Sequence, residues 1–545
     1  VNGPAGTPAL DRRRATLTAL ADEPVDLLVV GGGIVGCGIL LDAVSRGLRA
    51  ALIEQEDIAV GTSSRSSRLI HGGLRYLAQL RVGLIRESLA ERARLLRLAP
   101  HLVSIEPLLF PVYGVPLAHR AFYGAGLTLY DLLGASRDGG RSRHLTAAAA
   151  LEITPVLRRK GLRGAIRYHD AVEDDARFAV AVARTAIESG GLAVTRVRAE
   201  GPLTVGGRTA GVRARDLLSD ASLSIRARAV IDATGVWAAA SGSPFGVATM
   251  PMVPSRGAHL VVRRDRIPSR TGLSIRMPGQ NVFVVPWPGH WIIGTTDAPD
   301  PGSPAHPRAS AAEVDELLAA VNRRLDVGLR RDDVLGTYAG LRPLVGAARG
   351  GSTKRVSREH RVHVDASGLV HVSGGKYTTY RVMAADAVDG ALGETAARRP
   401  SATAELPLIG AAPRSDLSLL AAGLAERGGI GRAAADRLVA RHGTLATRVV
   451  SLGEAEGLVV PLGPRIAHLE AEVAWAVREE LALSLDDVMA RRTRLAMELP
   501  DRGAAIAPRV AELIGAELGW DAERQAAEVT AYLASATVEY GVPGG

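Results

Sequence analysis

The chain has 545 residues, 47% hydrophobic and 23% charged, which are the proportions of a globular protein and exclude global disorder. At about 150 residues per domain, this length suggests three or four domain-sized units or two large ones. The single cysteine, Cys37, rules out an intramolecular disulfide and leaves too few thiolates for a cysteine-built zinc site; no metal-ligating set stands out elsewhere.

The N-terminal residues 1–24 carry Arg12, Arg13 and Arg14 with no apolar segment behind them. They read as a flexible lead-in or a short surface helix rather than a secretory signal, which points to a cytoplasmic protein. No 18-residue stretch is free of charge, so no membrane-spanning helix is expected. Residues 26–54 read as strand, tight turn, helix, strand. An apolar run from Asp26 to Val30 meets Gly31-Gly-Gly-Ile-Val-Gly36, a helical segment follows to about Ser45, and a second apolar run ends at Glu54. Two further short strands are expected at 228–235 and 369–372, each ending at glycine. The front part is therefore α/β, with one nucleotide-binding unit assembled from separated pieces. Residues 397–414, with Pro400, Pro407 and Pro413, read as a linker. Beyond it lies an all-α region, with helices expected at 416–427, 432–441, 466–482, 485–495, 507–518 and 522–534. Asp486 and Asp487 suit the positive end of one of them.

The net charge of +9 is uneven: residues 401–545 hold 14 arginines against 20 acidic groups, a balance of −6, so the first 400 carry +15. That asymmetry suggests two regions with different partners, or simply a solvated arginine-rich surface. Nucleic acid is excluded as a partner, because aromatics are only 4% and no Cys/His finger or stacking motif occurs. Only three lysines occur, Lys160, Lys354 and Lys376, and Lys376 has the most unusual setting.

Gly31, Gly33 and Gly36 fit G-x-G-x-x-G between a strand and a helix, where glycine lets the backbone turn and approach a pyrophosphate at the helix N-terminus. Glu54, ending the next strand, is placed to accept hydrogen bonds from ribose hydroxyls. Cys37, just inside the helix, reads as a packing residue. The segment Gly61-Thr-Ser-Ser-Arg-Ser-Ser-Arg-Leu-Ile-His-Gly-Gly-Leu-Arg-Tyr-Leu77 is dense in hydroxyls, amides and cations, and suits a loop that wraps a pyrophosphate and passes a flavin ring.

That segment resembles the signature of the FAD-dependent glycerol-3-phosphate dehydrogenases, and Ser373-Gly-Gly-Lys-Tyr-Thr-Thr-Tyr-Arg381 resembles their second signature. Asp174-Asp-Ala-Arg177, Asp232-Ala-Thr-Gly-Val-Trp237, Gly257-Ala-His-Leu-Val-Val262, Gly294-Thr-Thr-Asp297, Ala339-Gly-Leu-Arg-Pro-Leu344 and Asp486-Asp-Val-Met-Ala-Arg-Arg-Thr-Arg-Leu495 match in order. Arg68 and Tyr377 depart from the common lysine and leucine; the first is expected to be tolerated in a phosphate-facing loop and the second to alter packing near the flavin. The resemblance implies a Rossmann-like FAD-binding domain of the glutathione-reductase/D-amino-acid-oxidase type over 25–396. It is interleaved with an α+β substrate domain (about 80–165 and 240–355) and followed by a helical C-terminal domain over 415–545.

The resemblance also implies a reaction of glycerol metabolism: oxidation of sn-glycerol 3-phosphate to dihydroxyacetone phosphate, with hydride passing from C2 to flavin N5. By that resemblance, Arg75, Arg358 and Lys376 hold the phosphate, Arg342 polarises the C2 oxygen or assists them, and Tyr76 orients the substrate. His259 and His71 compete for the base, with a satisfied core histidine as the plain reading of His259 and a flavin contact as that of His71. FAD is assigned to Gly31, Gly33, Gly36, Glu54, Thr62, Ser63, Ser67, Gly235, Gly374 and Thr378, and its adenine to the Val197 backbone. The family passes electrons to a membrane quinone, which implies a protein lying on the anionic inner face of the cell membrane. The helical domain reads as structural or as a homodimer contact. An oxidase of the same substrate, an amine oxidase and a non-catalytic flavoprotein sensor are the alternatives.

Overall fold

The computed structural model describes residues 7–72, 82–114, 131, 140–239, 243–246, 252–277, 280–300, 302, 304–345, 359–427 and 429–544. Helix α1 (Pro8–Asp22) opens it, burying Leu20 and setting the Arg13 guanidinium on Asp216 and the Thr195 carbonyl. Strand β1 (Val25–Val30) is apolar and buried along nearly all its length, as a strand covered on both faces must be. It pairs in parallel with Ala50–Ile53 (β2) on one side and Ser222–Asp232 on the other. Leu192–Val194 extends the sheet beyond β2, and Val370–Gly374 extends it beyond Ser222–Asp232. Between β1 and β2 runs helix α2 (Ile34–Ser45), in which nearly every residue from Ile34 to Ala43 is buried. A helix apolar all round needs cover on every side. The helix Tyr380–Leu392 approaches so closely that a Cβ on Gly38 would stand 2.7 Å from the Tyr380 ring.

A second, larger sheet carries the other half of the site. Towards one end of it runs the long antiparallel pair Met252–Arg263 and Val334–Val345, in which His259 lies opposite Tyr338 and Ser255 opposite Arg342. On its other edge Met252–Arg263 pairs with His290–Gly294, which sets His259 opposite Gly294. Side chains of directly paired residues share a face, so this register alone brings the histidine, the tyrosine and the glycine together.

The C-terminal region is helical, from Arg414–Glu426 to Ala522–Tyr540. It includes Ala446–Glu456, which periodicity does not reveal, and a π-helical turn over Asp487–Arg492, where a regular helix is expected from the pattern. One hydrophobic core joins the second sheet (Phe110, Val261, Ile292) to the C-terminal helices (Val473, Met489, Ile514, Tyr532). Buried ion pairs tie the same C-terminal region to the first-sheet part of the chain. Arg177 donates to both oxygens of Glu480, which also accepts from the Trp475 indole at 2.9 Å. Arg196 meets Asp487 at 2.7 Å, and Arg492 meets Asp57 at 2.7 Å. Asp487 thus serves the interface and the Leu483 and Ser484 amides, not only a helix dipole. Among the described residues no helix is long and apolar enough to cross a membrane.

Removing one partner of a buried pair strands the other charge, which costs about 3–5 kcal/mol. Glu480→Gln is therefore expected to lower the unfolding free energy by about that amount, read as a shift of the urea midpoint. An unchanged midpoint contradicts the pair's role.

Candidate functional site

The turn after β1 needs glycine for two reasons. Gly31 has φ +115°, and a Cβ there would lie 2.6 Å from the Ala233 carbonyl oxygen. Gly36 plays a different part: a Cβ would meet the Gly31 carbonyl at 1.9 Å, so its bare backbone lets α2 start directly beneath the turn. The Ile34 amide at the helix start donates to Ser63 Oγ at 2.9 Å, which fixes the loop 61–68 against the positive end of α2. Cys37 Sγ, buried in this helix, contacts the Gly32 carbonyl at 3.4 Å, and burial pushes its thiol pKa far up.

Glu54 closes the cradle. Its carboxyl accepts from the Gly32 amide at 2.6 Å and the Glu56 amide at 2.8 Å. Burial pushes its pKa up to about 7 even so. Val197 donates its amide to the Glu54 carbonyl at 2.8 Å, which places the two side by side at the wall.

A cavity of about 500 Å³ opens here, lined by Gly31, Gly33, Glu54, Thr62, Ser63, Ser67, Val197, Gly235, Gly374 and Thr378. His71, His259, Arg342 and Lys376 line the same cavity. Gly36 is the one expected cofactor residue that does not. Arg75, Tyr76 and Arg358 lie outside the described residues.

The chemistry-bearing side chains are held by their neighbours. The His259 ring stacks on Tyr338 at a centroid distance of 4.6 Å and an angle of 10°. It occupies space that a side chain at Gly294 would fill, since a Cβ there would be 2.2 Å from its Cδ2. Its Nε2 is hydrogen bonded to Ser67 Oγ at 2.8 Å. Burial, with Arg342 and Arg68 nearby, holds the His259 pKa well below the usual imidazole range, so the ring is neutral. Arg342 fits because Gly257 has no side chain: a Cβ would stand 2.3 Å from its guanidinium. It donates to Thr295 Oγ1 at 2.9 Å and to the Thr296 carbonyl at 3.2 Å. Lys376 donates to Ser88 Oγ at 3.1 Å. Arg65, Arg198, Arg342 and Lys376 give the cavity four cationic side chains beside its two histidines, a set suited to a phosphorylated alcohol and to uptake of a hydroxyl proton.

Three assignments change in detail. Ser67 directs its hydroxyl to His259, so it serves the histidine as well as the loop. Arg68 does not face phosphate: it is fully buried, ion-paired with Asp175, and lies 5.2 Å from the Trp287 ring centroid. Tyr377 lines the cavity, donates its hydroxyl to the Asp175 carbonyl and packs edge-on to Phe178. Arg494, which donates to Ser64 and Asp174 behind the loop, is a further contributor. Its signal in the sequence is the run of arginines at 491–494, which no solvated helix face requires.

The donors fit a dinucleotide. The glycines at Gly31 and Gly374 have positive φ, and a Cβ at each would overlap backbone oxygen, at 2.6 and 2.7 Å. An acid at the end of β2 and a helix N-terminus complete the cradle.

The comparisons agree with this geometry. Residues 26–388 match the family model described as FAD dependent oxidoreductase, and residues 401–525 match the C-terminal domain of alpha-glycerophosphate oxidase. A glycerol-3-phosphate dehydrogenase of Mycobacterium leprae is 43% identical over 542 residues, covering 98% of this chain and 92% of its own. Glycerol-3-phosphate dehydrogenase 2 of Mycobacterium tuberculosis is 42% identical over 534 residues, covering 97% and 91%. A crystal structure of glycerol-3-phosphate dehydrogenase from Bacillus halodurans, complexed with FAD, superposes with a TM-score of 0.80 at 26% identity, covering 98% of both chains.

A carboxylate accepts from hydroxyls better than a carboxylic acid does, so a cofactor ribose held through Glu54 is expected to need its ionised form. With its pKa at about 7, FAD binding is expected to tighten as pH rises through neutrality and to weaken about tenfold for each unit below it. Titrating the apoprotein with FAD between pH 5 and about 8 checks this; Glu54→Gln should flatten the profile. A wild-type affinity that does not change with pH contradicts it. Gly31→Val should abolish FAD binding, seen as loss of the visible flavin band from the purified protein, because the new side chain would meet the Ala233 carbonyl.

Proposed function

The chain belongs to the FAD-dependent glycerol-3-phosphate dehydrogenases, and from that premise we propose that it oxidises sn-glycerol 3-phosphate to dihydroxyacetone phosphate and passes the electrons to a membrane quinone. Its cofactor is FAD. When bound, FAD supplies the hydride acceptor. The observation that carries the reading is one juxtaposition: His71, His259, Arg342 and Lys376 line the same cavity as the glycine cradle and Thr378.

Lys376 and Arg342 bind the phosphate and the C2 oxygen, together with Arg75 and Arg358. Tyr76 orients the substrate. His71 takes the hydroxyl proton. His259 is disfavoured for that step, because an imidazolium there would be buried beside Arg342 and Arg68; it keeps its hydrogen bond to Ser67 and shapes the cavity wall. Gly31, Gly33, Gly36, Glu54, Thr62, Ser63, Val197, Gly235, Gly374 and Thr378 hold the cofactor. The basic balance of the first 400 residues supports attachment to an anionic inner-leaflet surface. The limits 25–396, 397–414 and 415–545 are our division of the chain into cofactor-and-substrate part, linker and helical domain.

Anaerobic mixing with glycerol 3-phosphate should bleach the bound flavin, and a flavin that stays oxidised would defeat the reading. Reduction of a quinone analogue, against peroxide formed under air, separates a dehydrogenase from an oxidase. Lys376→Met and Arg342→Gln should each lower kcat/KM for glycerol 3-phosphate by about ten- to a hundred-fold, the loss of one charge-assisted contact of about 1.5–3 kcal/mol.

A further inference from the structure

The loop 61–68 supplies Thr62, Ser63 and Ser67 to the cavity, and its backbone is fastened from outside the cofactor-binding sheet. The Ser64 carbonyl accepts from Arg494 Nη1 at 3.1 Å and from Arg68 Nη2 at 3.2 Å. The Ser66 amide donates to Asp175 Oδ2 at 2.8 Å, and Asp175 is itself ion-paired to Arg68 and Arg494. Arg65 reaches Glu539 Oε2 at 2.7 Å. Two of these fastenings, Arg494 and Glu539, belong to the C-terminal region. The Arg494 side chain is 2% exposed, and its backbone adopts φ +69°, which a non-glycine residue rarely does. It stands two residues past the π-helical turn, after Thr493, whose amide bonds to the Val488 carbonyl at 2.8 Å. Uncommon backbone of this kind persists where the surroundings over-determine it, and often where it serves a site.

We propose that Arg494 is a positioning residue for the cofactor, with Glu539 as its weaker second, so that the C-terminal domain forms part of the FAD site's support rather than a separate module. Arg494 acts through Ser64 and Asp175: it holds the loop carbonyl and compensates the buried aspartate that receives the Ser66 amide. Without it, Asp174 and Asp175 share fewer cations and the loop loses an anchor directly beside Ser63. The inference rests on the FAD reading above and not on the substrate.

The test is titration of the full-length apoprotein with FAD, followed by quenching of flavin fluorescence, with the apoprotein's thermal midpoint recorded in parallel. Arg494→Gln should weaken FAD binding by about tenfold or more, and Glu539→Gln by a smaller factor. Arg184→Gln cuts an interdomain contact to Glu479, 3.2 Å away and not on the loop, and should leave FAD affinity unchanged whatever it does to the midpoint. FAD binding by Arg494→Gln equal to wild type overturns the proposal, as does an equal loss in Arg184→Gln. If Arg494→Gln does not fold, Glu539→Gln decides: a folded variant with wild-type affinity overturns it. Wild-type protein that binds FAD but does not turn over glycerol 3-phosphate fails the substrate reading alone and leaves this one standing.

Discussion

The ionic contact between the arginines at 491–494 and the acids of the cofactor-binding half is the constraint on which the rest of the molecule leans. Arg491 and Arg492 meet Asp57, just past the strand that ends in Glu54, and Arg494 meets Asp174, Asp175 and the Ser64 carbonyl. All but the half-buried Asp174 are buried, so none of the others is stable there without its counterpart. A regular helix would present successive residues about 100° apart. The wider π-helical turn and the left-handed Arg494 let three arginines from one short run reach acids on separate elements.

The uneven charge of the chain takes on a different meaning in this light. The basic first 400 residues and the acidic remainder partly meet inside the molecule itself. Arg177, Arg184, Arg196 and Arg65 of the front half meet Glu480, Glu479, Asp487 and Glu539 of the helical part. Part of the imbalance is therefore neutralised across an internal interface. The arginines at 491–494 run the other way, which makes the contact reciprocal and fixes its register. Arginine suits this role better than lysine because its planar fork serves two oxygens at once, as at Glu480.

What could be read from the sequence alone was local. The cradle of Gly31, Gly33 and Glu54 lies within one strand–helix–strand unit, where spacing alone dictates geometry, and the cationic and histidine positions came from motifs. The Ser67–His259 bond was not legible, because it joins residues 192 apart and exists only through the register of the second sheet. The roles of Gly257 and Gly294 were hidden for the same reason: each leaves room for a side chain on another strand. The helix Ala446–Glu456 was missed because Val449, Val450 and Gly453 are weak helix formers, and it is their burial against neighbouring helices that holds it. Apolar periodicity likewise cannot tell a π-helical turn from an α-helical one.

Cys37 carries a last consequence. It is the only sulfhydryl in the chain, lies wholly inside the helix beneath the cofactor turn, and is held in its protonated form by burial. Thiolate is the reactive species toward oxidants and alkylating reagents. While the fold is closed that thiol is out of reach of maleimides and oxidants, so the rate at which the protein acquires a thiol label reports how often its first βαβ unit opens.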